Sequence, residues 1–397
     1  ADDQIELVEG IDSEQIRLLP SDARYINLIY DEKLHLKLYR KLEEGINPGV
    51  EASEKINLFS EFKSIPAYLG KINYTVSDKV RFSIGLMEEY AYNQGRLWNY
   101  MFDSIRQYID NVNSLQKTSA EELHTAFILS LDLTNLRDFA FIHHLVGNNY
   151  YEMMALLGER VGEMHLSLNS ITDDASFIPE KFTGFHQRSI FQSLRSLIRN
   201  TFRELRGKIH VLPEDIKEEA FHLFDKEVNL MNYAGKILDQ KISAKRIRIH
   251  GDLELNQILF TGKDYNIINF EGQKSVYISE RKLKKSALRD VATLVWSLYS
   301  AAFSALYEYK LYEPEILHLE PFVERWWMFM SGTMLQKYSE TVKYSDVLPE
   351  NYEHTELLLR IFILEKLFIE LRKGLAEEGD LEIPIKGIKS FIEIVKV

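Results

Sequence analysis

The spacing of apolar positions changes once along the chain, near residue 88. Before that point, 34–40 (LHLKLYR) alternates apolar and polar residues as a half-buried strand does, and 72–87 (INYTVSDKVRFSIGLM) reads as two strands around the polar SDK turn. Between them, 50–62 carries a Glu-rich helical period. Beyond Glu88 and Glu89 the spacing predicts long amphipathic helices over 97–112, 149–168, 185–206, 213–238, 287–306, 320–338 and 352–375. The stretch 110–122 is polar enough for a loop, and no internal repeat or low-complexity tract is present. One β interruption stands inside the helical part: the apolar runs 257–260 and 265–269, joined by the turn-rich TGKD, predict a hairpin. The expected class is α+β, with a small β-containing lobe over 1–87 and a large, mainly helical lobe over 88–397 that carries the hairpin within 246–272.

That interruption holds the most specific chemistry. In RIRIHGDLELNQILFTGKDYNIINFEG, Asp252 follows His250 and Gly251, and Gln257 lies five positions after it, the HxDxxxxN spacing of a kinase catalytic loop with Gln for Asn. Phosphoryl transfer needs a carboxylate to orient the acceptor hydroxyl, plus an amide and a carboxylate to hold the bridging Mg²⁺. Asp252 fits the first role and Gln257 the second; Asn269 stands where DFG or DFEG motifs place the metal-binding aspartate, with Glu271 two residues on. HGD alone arises by chance in unrelated proteins, but with the amide at its offset, the hairpin and NFEG it specifies a two-lobed, protein-kinase-like fold. Activity is a separate matter, carried by the site.

Other candidates follow from that frame. Lys37 lies in an apolar strand and Glu51 opens the next helix, an arrangement by which such enzymes hold nucleotide phosphates with an ion-paired lysine; the alternative is a lysine turned outward from an edge strand. The segment 86–90 (LMEEY) falls where strand gives way to helix, so the backbone at Glu89 and Tyr90 is a candidate adenine-binding hinge. In GFHQRSIFQSLR, His186 is followed by Arg188, Gln192 and Arg195, the last three on one helical face, either to bind sugar or to form salt bridges. His165, Trp326 and Trp327 read as core residues, and Arg289 with Asp290 as a brace for the catalytic loop.

Composition narrows the partners. The 397 residues, 45% hydrophobic, suffice for more than one packed lobe. A formal net charge of −12 argues against nucleic acid held through phosphates, and the lack of cysteine excludes disulfides and thiolate chemistry. With no signal-peptide pattern and no apolar run of membrane-spanning length, the expectation is a cytoplasmic protein with no membrane or nucleic-acid partner.

Taken together, LHLKLYRKLEEGINPGVE, LMEEYAYNQG, LGERVGEMHLSL, IRIHGDLELNQILFTG, KKSALRDVATL and LLLRIFILEKLFIEL resemble the bacterial maltokinase family, aminoglycoside-phosphotransferase-like enzymes often fused to trehalose synthase. The resemblance implies ATP and Mg²⁺ as cosubstrates and maltose as acceptor. It also implies Lys37 and Glu51 as the nucleotide pair, Asp252 as base, and Gln257, Asn269 and Glu271 at the metal. The departures fall on chemistry. The polar phosphate loop aligns with 22–27 (DARYIN), Glu254 replaces a histidine of HGDxH, the metal aspartate is Asn269, the sugar-end motif is replaced around 372–378, and most of the family's N-terminal cap is missing. The expectation is therefore a maltokinase-like domain of trehalose, maltose and α-glucan metabolism that is impaired as a kinase and structural or regulatory, with trehalose synthase as partner and no required cofactor. Two alternatives stand beside it: an active maltose kinase with a rearranged metal site, and a carbohydrate-binding module without nucleotide.

Overall fold

The alternation in the first hundred residues becomes one antiparallel sheet. The computed structural model describes residues 15–19, 25–77, 80–114, 139–273, 275–309 and 313–396. Strands β1 (Ile16–Leu18), β2 (Tyr25–Tyr30), β3 (Leu34–Tyr39), β4 (Tyr68–Ser77) and β5 (Val80–Glu89) pair in the order β1-β2-β3-β5-β4. Helix α1 (Pro48–Phe59) begins at a strong start signal, because the Asn47 side chain accepts from the Gly49 amide at 2.8 Å and Pro48 fills the first helical position. The short strands β6 (Gly95–Arg96), β9 (Ile258–Phe260) and β10 (Tyr265–Ile267) form a second small sheet, with the expected TGKD hairpin between the last two.

The helical part contains α2 (Leu97–Ser114), α3 (Phe139–Val146), α4 (Asn148–Ser170), α5 (Gly184–Lys208), α6 (Glu214–Phe224), α7 (Glu227–Gly235), α8 (Ile278–Arg281), α9 (Leu288–Glu308), α10 (Glu313–Val342), α11 (Tyr352–Glu377) and α12 (Glu382–Val395), with the two-residue strands β7 (Glu180–Lys181) and β8 (Lys245–Arg246) paired to each other. This is the two-lobed α+β architecture expected from the pattern. The compact units do not follow the expected boundary at 87, however. One comprises Ala1–Leu97, Glu163–Pro179 and Ile247–Lys285, and the other Trp98–Gly162, Glu180–Arg246 and Ser286–Val397. The hairpin belongs to the same unit as the five-stranded sheet and is tied to its connecting segments: the Ile267 amide donates to the Ser64 carbonyl at 2.8 Å and the Gln94 amide to the Phe260 carbonyl at 2.8 Å.

Local differences from the sequence reading have simple causes. The helix expected over 213–238 breaks at Asp225 and Lys226 into α6 and α7, which keep a common apolar period, so the break is invisible to periodicity. Helix α10 starts before 320 and runs through Pro321. Helix α2 extends to Ser114, into the stretch expected to loop from 110; residues 115–122 lie outside the described ones. Trp326 and Trp327 are buried, and Trp327 donates its indole N–H to the Val295 carbonyl at 3.0 Å, so neither forms an exposed stacking platform.

In the helical unit, α4 and α10 touch at backbone distance because α4 carries Gly158 and Gly162. A Cβ at Gly158 would lie 2.2 Å from the Met334 carbonyl oxygen, and one at Gly162 would lie 2.7 Å from Thr341 side-chain atoms. Gly158→Ala meets backbone, which cannot rotate away, and is expected to cost on the order of 2 kcal/mol, the overpacking range. Gly162→Ala meets the Thr341 Cβ, which rotation cannot move, together with its methyl, which rotation can; it is expected to destabilise too, but less than Gly158→Ala because the approach is less close. Urea denaturation of both variants checks the ranking.

Candidate functional site

The site is assembled on one face of the sheet. The register pairs Tyr25 with Tyr39, Asn27 with Lys37 and Ile29 with His35, so these six side chains share a face, and cross-strand pairing of His35 with Glu88 and Lys37 with Leu86 extends it onto β5. Five of the six, together with Leu259, Ile268 and Asn269 of the hairpin region and Tyr90 and Ala91 after β5, line a cavity of about 480 Å³. All of its lining lies within the first unit.

Lys37 is buried at 2% exposure, and its ammonium pairs with Glu88 at 2.9 Å. The second Glu88 oxygen accepts from Ser53 of α1 at 3.0 Å. The expected pairing of Lys37 with Glu51 is corrected: Glu51 is bound by Arg248 at 2.9 Å and Lys282 at 3.2 Å, and Arg248 lies over the Phe177 ring. The reason is reach. Glu88 stands one diagonal step from Lys37 on the adjacent strand, while Glu51, in the first turn of α1, meets two other cations. Glu88 was missed in the sequence, where the signal was an acidic residue at a position of β5 that shares a face with the buried Leu86.

The loop carrying Asp252 is held from below. His250 donates from Nε2 to the Ile268 carbonyl at 2.8 Å and accepts the Asp252 amide at Nδ1, 3.3 Å away, which fixes the tautomer. The Asp252 side chain is half-buried. Gln257 and Asn269, both buried, meet each other: Asn269 Nδ2 donates to Gln257 Oε1 at 2.8 Å. The Gln257 oxygen accepts this bond with one of its two lone pairs. Asn269 has φ +66, a left-handed conformation that asparagine tolerates better than most residues.

Glu271 turns toward α1. A Cβ on Gly49 would lie 2.7 Å from its Oε1, an approach open only because residue 49 is glycine, and Tyr39 donates to the same oxygen at 3.4 Å. Its Oε2 is buried and has no hydrogen-bond partner among the described residues. Burial first, then the carboxylates of Glu271 and Glu88, push the Tyr39 hydroxyl well above the usual tyrosine range, so it stays protonated. Among the described residues, no group of three or more His, Asp or Glu is arranged to hold a metal ion. Mg²⁺ at phosphate sites is held by one or two protein carboxylates together with substrate phosphates and water; here the two metal-motif positions, Gln257 and Asn269, carry neutral amides.

His35 donates to Asn27 Oδ1 at 3.0 Å, and its pKa is pushed down to about 3 by burial and then by Lys37 and Arg96. At neutral pH this edge of the cavity is uncharged. Near its mouth Arg17 pairs with Glu32 at 2.7 Å and lies 5.9 Å from the Tyr90 ring centre. The hinge expectation is corrected in part: Tyr90 lines the cavity but spends its amide on the Lys33 carbonyl at 2.7 Å, and Glu89 is exposed with its amide on Ala67 at 2.9 Å. Of the stretch aligned with a phosphate loop, 22–24 lie outside the described residues, while Tyr25 to Asn27 are strand β2, with Tyr25 buried against Tyr39, ring centres 6.1 Å apart.

His186, Arg188, Gln192 and Arg195 belong to the helical unit. His186 caps α5, accepting the Thr183 amide at Nδ1 at 3.3 Å and meeting the Thr183 hydroxyl at 2.8 Å; its pKa is lowered by burial and then by Arg246. Arg188 and Gln192 are exposed and Arg195 half-buried, as one outward helix face predicts. The inward residue is Gln187, which holds the Ile237 and Gln240 carbonyls at 2.6 Å each.

No protein-family profile matches the chain. Among solved structures it is similar to a glucosamine kinase in complex with glucosamine, ADP and inorganic phosphate, with TM-score 0.67 and 15% identity over 95% of this chain and 76% of that one. A second crystal form of glucosamine kinase gives TM-score 0.67 and 14% identity over 98% of this chain and 83% of that one. At these identities the likeness establishes a kinase-like, two-lobed fold. No helix among the described residues is long and apolar enough to cross a membrane.

Proposed function

We propose that this chain is a sugar-kinase-like domain that has lost Mg²⁺-dependent phosphoryl transfer and acts as a structural or regulatory element. The observation that carries this reading is the hydrogen bond between Asn269 and Gln257, which joins the two side chains at the metal-motif positions to each other. The sequence resemblance points to the maltokinase group, hence to trehalose, maltose and α-glucan metabolism, with maltose as the sugar and trehalose synthase as the partner. Co-elution with trehalose synthase, and a change in that enzyme's rate, test the partnership.

The decisive experiment is ADP release from Mg²⁺-ATP with maltose or glucosamine as acceptor, with Asp252→Asn as blank. The expected result is no difference from the blank at a sensitivity of about one event per enzyme per hour, roughly four decades below an ordinary enzyme. Turnover above the blank overturns the reading in favour of an active sugar kinase with another metal-ligand set. Asn269→Asp, which places a carboxylate at the second metal-motif position, is expected to raise Mg²⁺-ATP affinity in calorimetric titration; an unchanged affinity would point to the 22–27 stretch as the main departure.

A further inference from the structure

We propose that two copies of this chain associate edge to edge through strand β4, in antiparallel register about a two-fold axis at Asn73, as a weak and reversible dimer. The contact draws neither on the cavity nor on phosphoryl transfer, so turnover in the ADP-release experiment leaves it standing.

The five-stranded sheet has two edges, and they differ. Strand β1 is three residues long, and so short an edge offers little to pair with. Strand β4, at the other edge, runs for ten residues, and 71–77 are exposed throughout. Among the described residues, no backbone hydrogen bond other than those to β5 involves 71–77, which leaves the outer N–H and C=O groups of this stretch open. The strand is also unbroken there. Gly70, Lys71 and Ile72 pair with Met87, Leu86 and Gly85, and Asn73, Tyr74 and Thr75 with Ser83, Phe82 and Arg81, so the extra residue at the irregularity is Ile84 of β5.

The devices that keep an edge from pairing are missing over 71–75. The stretch has no proline, and its one charge, Lys71, is drawn to Glu54 of α1 at 2.6 Å. Ile72, Tyr74 and Thr75 all favour strands. Ile72 and Tyr74 share one face and are 42% and 55% exposed. The Tyr74 ring lies 6.5 Å from that of Phe82, directly across the ladder, which widens the apolar surface onto β5.

A second copy fits this edge because the stretch is complementary to itself when reversed. With Asn73 opposite its counterpart, Ile72 faces Tyr74, Tyr74 faces Ile72, and Lys71 faces Thr75 at both ends. Apolar side chains then meet on one face, the two amides at the axis donate and accept in turn, and no like charges are opposed. An axis between Ile72 and Asn73 would instead set the apolar side chain against the amide. A pairing of this length buries less than about 1,200 Å², the span of weak and transient contacts.

The test is sedimentation equilibrium of the unaltered protein from about 5 to about 500 μM, where a monomer–dimer equilibrium is expected with a dissociation constant on the order of 50 μM. Hydrogen exchange at amides within 71–75 is expected to slow as concentration rises across that range. A monomer throughout overturns the proposal. So does protection of those amides that is independent of concentration, which would mean that the edge is covered within a single chain. Asn73 is exposed, so Asn73→Lys and Asn73→Glu are tolerated by the fold, and each sets like charges against each other across the axis. Each variant alone is expected to self-associate at least about tenfold more weakly than the parent, and the two mixed in equal amounts to associate at least as tightly as the parent. Parent-like dimerisation of either variant alone, or a mixture no tighter than its components, would place the association at another surface and overturn the assignment.

Discussion

Lys37→Met is expected to destabilise the ligand-free protein by about 3–5 kcal/mol, and adding Glu88→Leu to return most of that loss. The two side chains are 3% and 5% exposed and 2.9 Å apart, so removing the ammonium leaves a carboxylate away from water with Ser53 as its remaining hydrogen-bond donor. Replacing both charges with apolar groups removes the unpaired charge and fills the space. Denaturant titration of the two single variants and the double variant gives the coupling energy directly. A loss below about 1 kcal/mol for Lys37→Met would show that the pair contributes little to the fold. Glu51→Gln is expected to couple to Arg248 and not to Lys37, because Arg248 lies 2.9 Å from it.

The parts of this site that were legible in the sequence were those set by short-range pattern. The strand holding Lys37 alternates, TGKD closes a hairpin, and the offset from Asp252 to Gln257 is intrinsic to one loop. What was not legible depended on long-range choice among like residues. Glu51 and Glu89 were the acidic candidates, Glu88 stood beside them unassigned, and only the β3–β5 register decides that Glu88 faces Lys37. The same register places His35 and Asn27 on the Lys37 face, which alternation in LHLKLY implies once the strand's inner side is known. Residues 25–27 were read as loop because an alignment with a glycine-poor phosphate loop outweighed the apolar YINLIY pattern that follows. The Asn269 to Gln257 bond required the two strand ends to be placed side by side, which the hairpin reading contained, and the amide types, which the sequence states; the direct contact is what the structure adds. Gly158 and Gly162 also carried a readable signal, a four-residue glycine spacing in a helix, that points to close helix packing.

Acid is expected to unfold this protein through His35, and His35→Gln to blunt that response. Unfolded, the imidazole takes up its proton near 6.5, whereas folded it resists protonation down to about 3. Between those values the unfolded chain binds more protons than the folded one, so the stabilising effect is complete above 6.5 and is lost as pH falls. The loss approaches about 1.4 kcal/mol for each unit below 6.5, or about 3 kcal/mol by pH 4.5. Glutamine keeps an N–H donor for Asn27 Oδ1 but has no proton to gain. Unfolding free energies of parent and variant, measured by urea titration from pH 8 to pH 4.5, are expected to keep a constant difference down to pH 7. Below that the difference should shift progressively in the variant's favour, a comparison that cancels the carboxylates common to both. Parallel pH profiles would mean that His35 accepts its proton in the folded state, and the neutral edge of the cavity would then have to be reassigned as a cationic one beside Lys37 and Arg96.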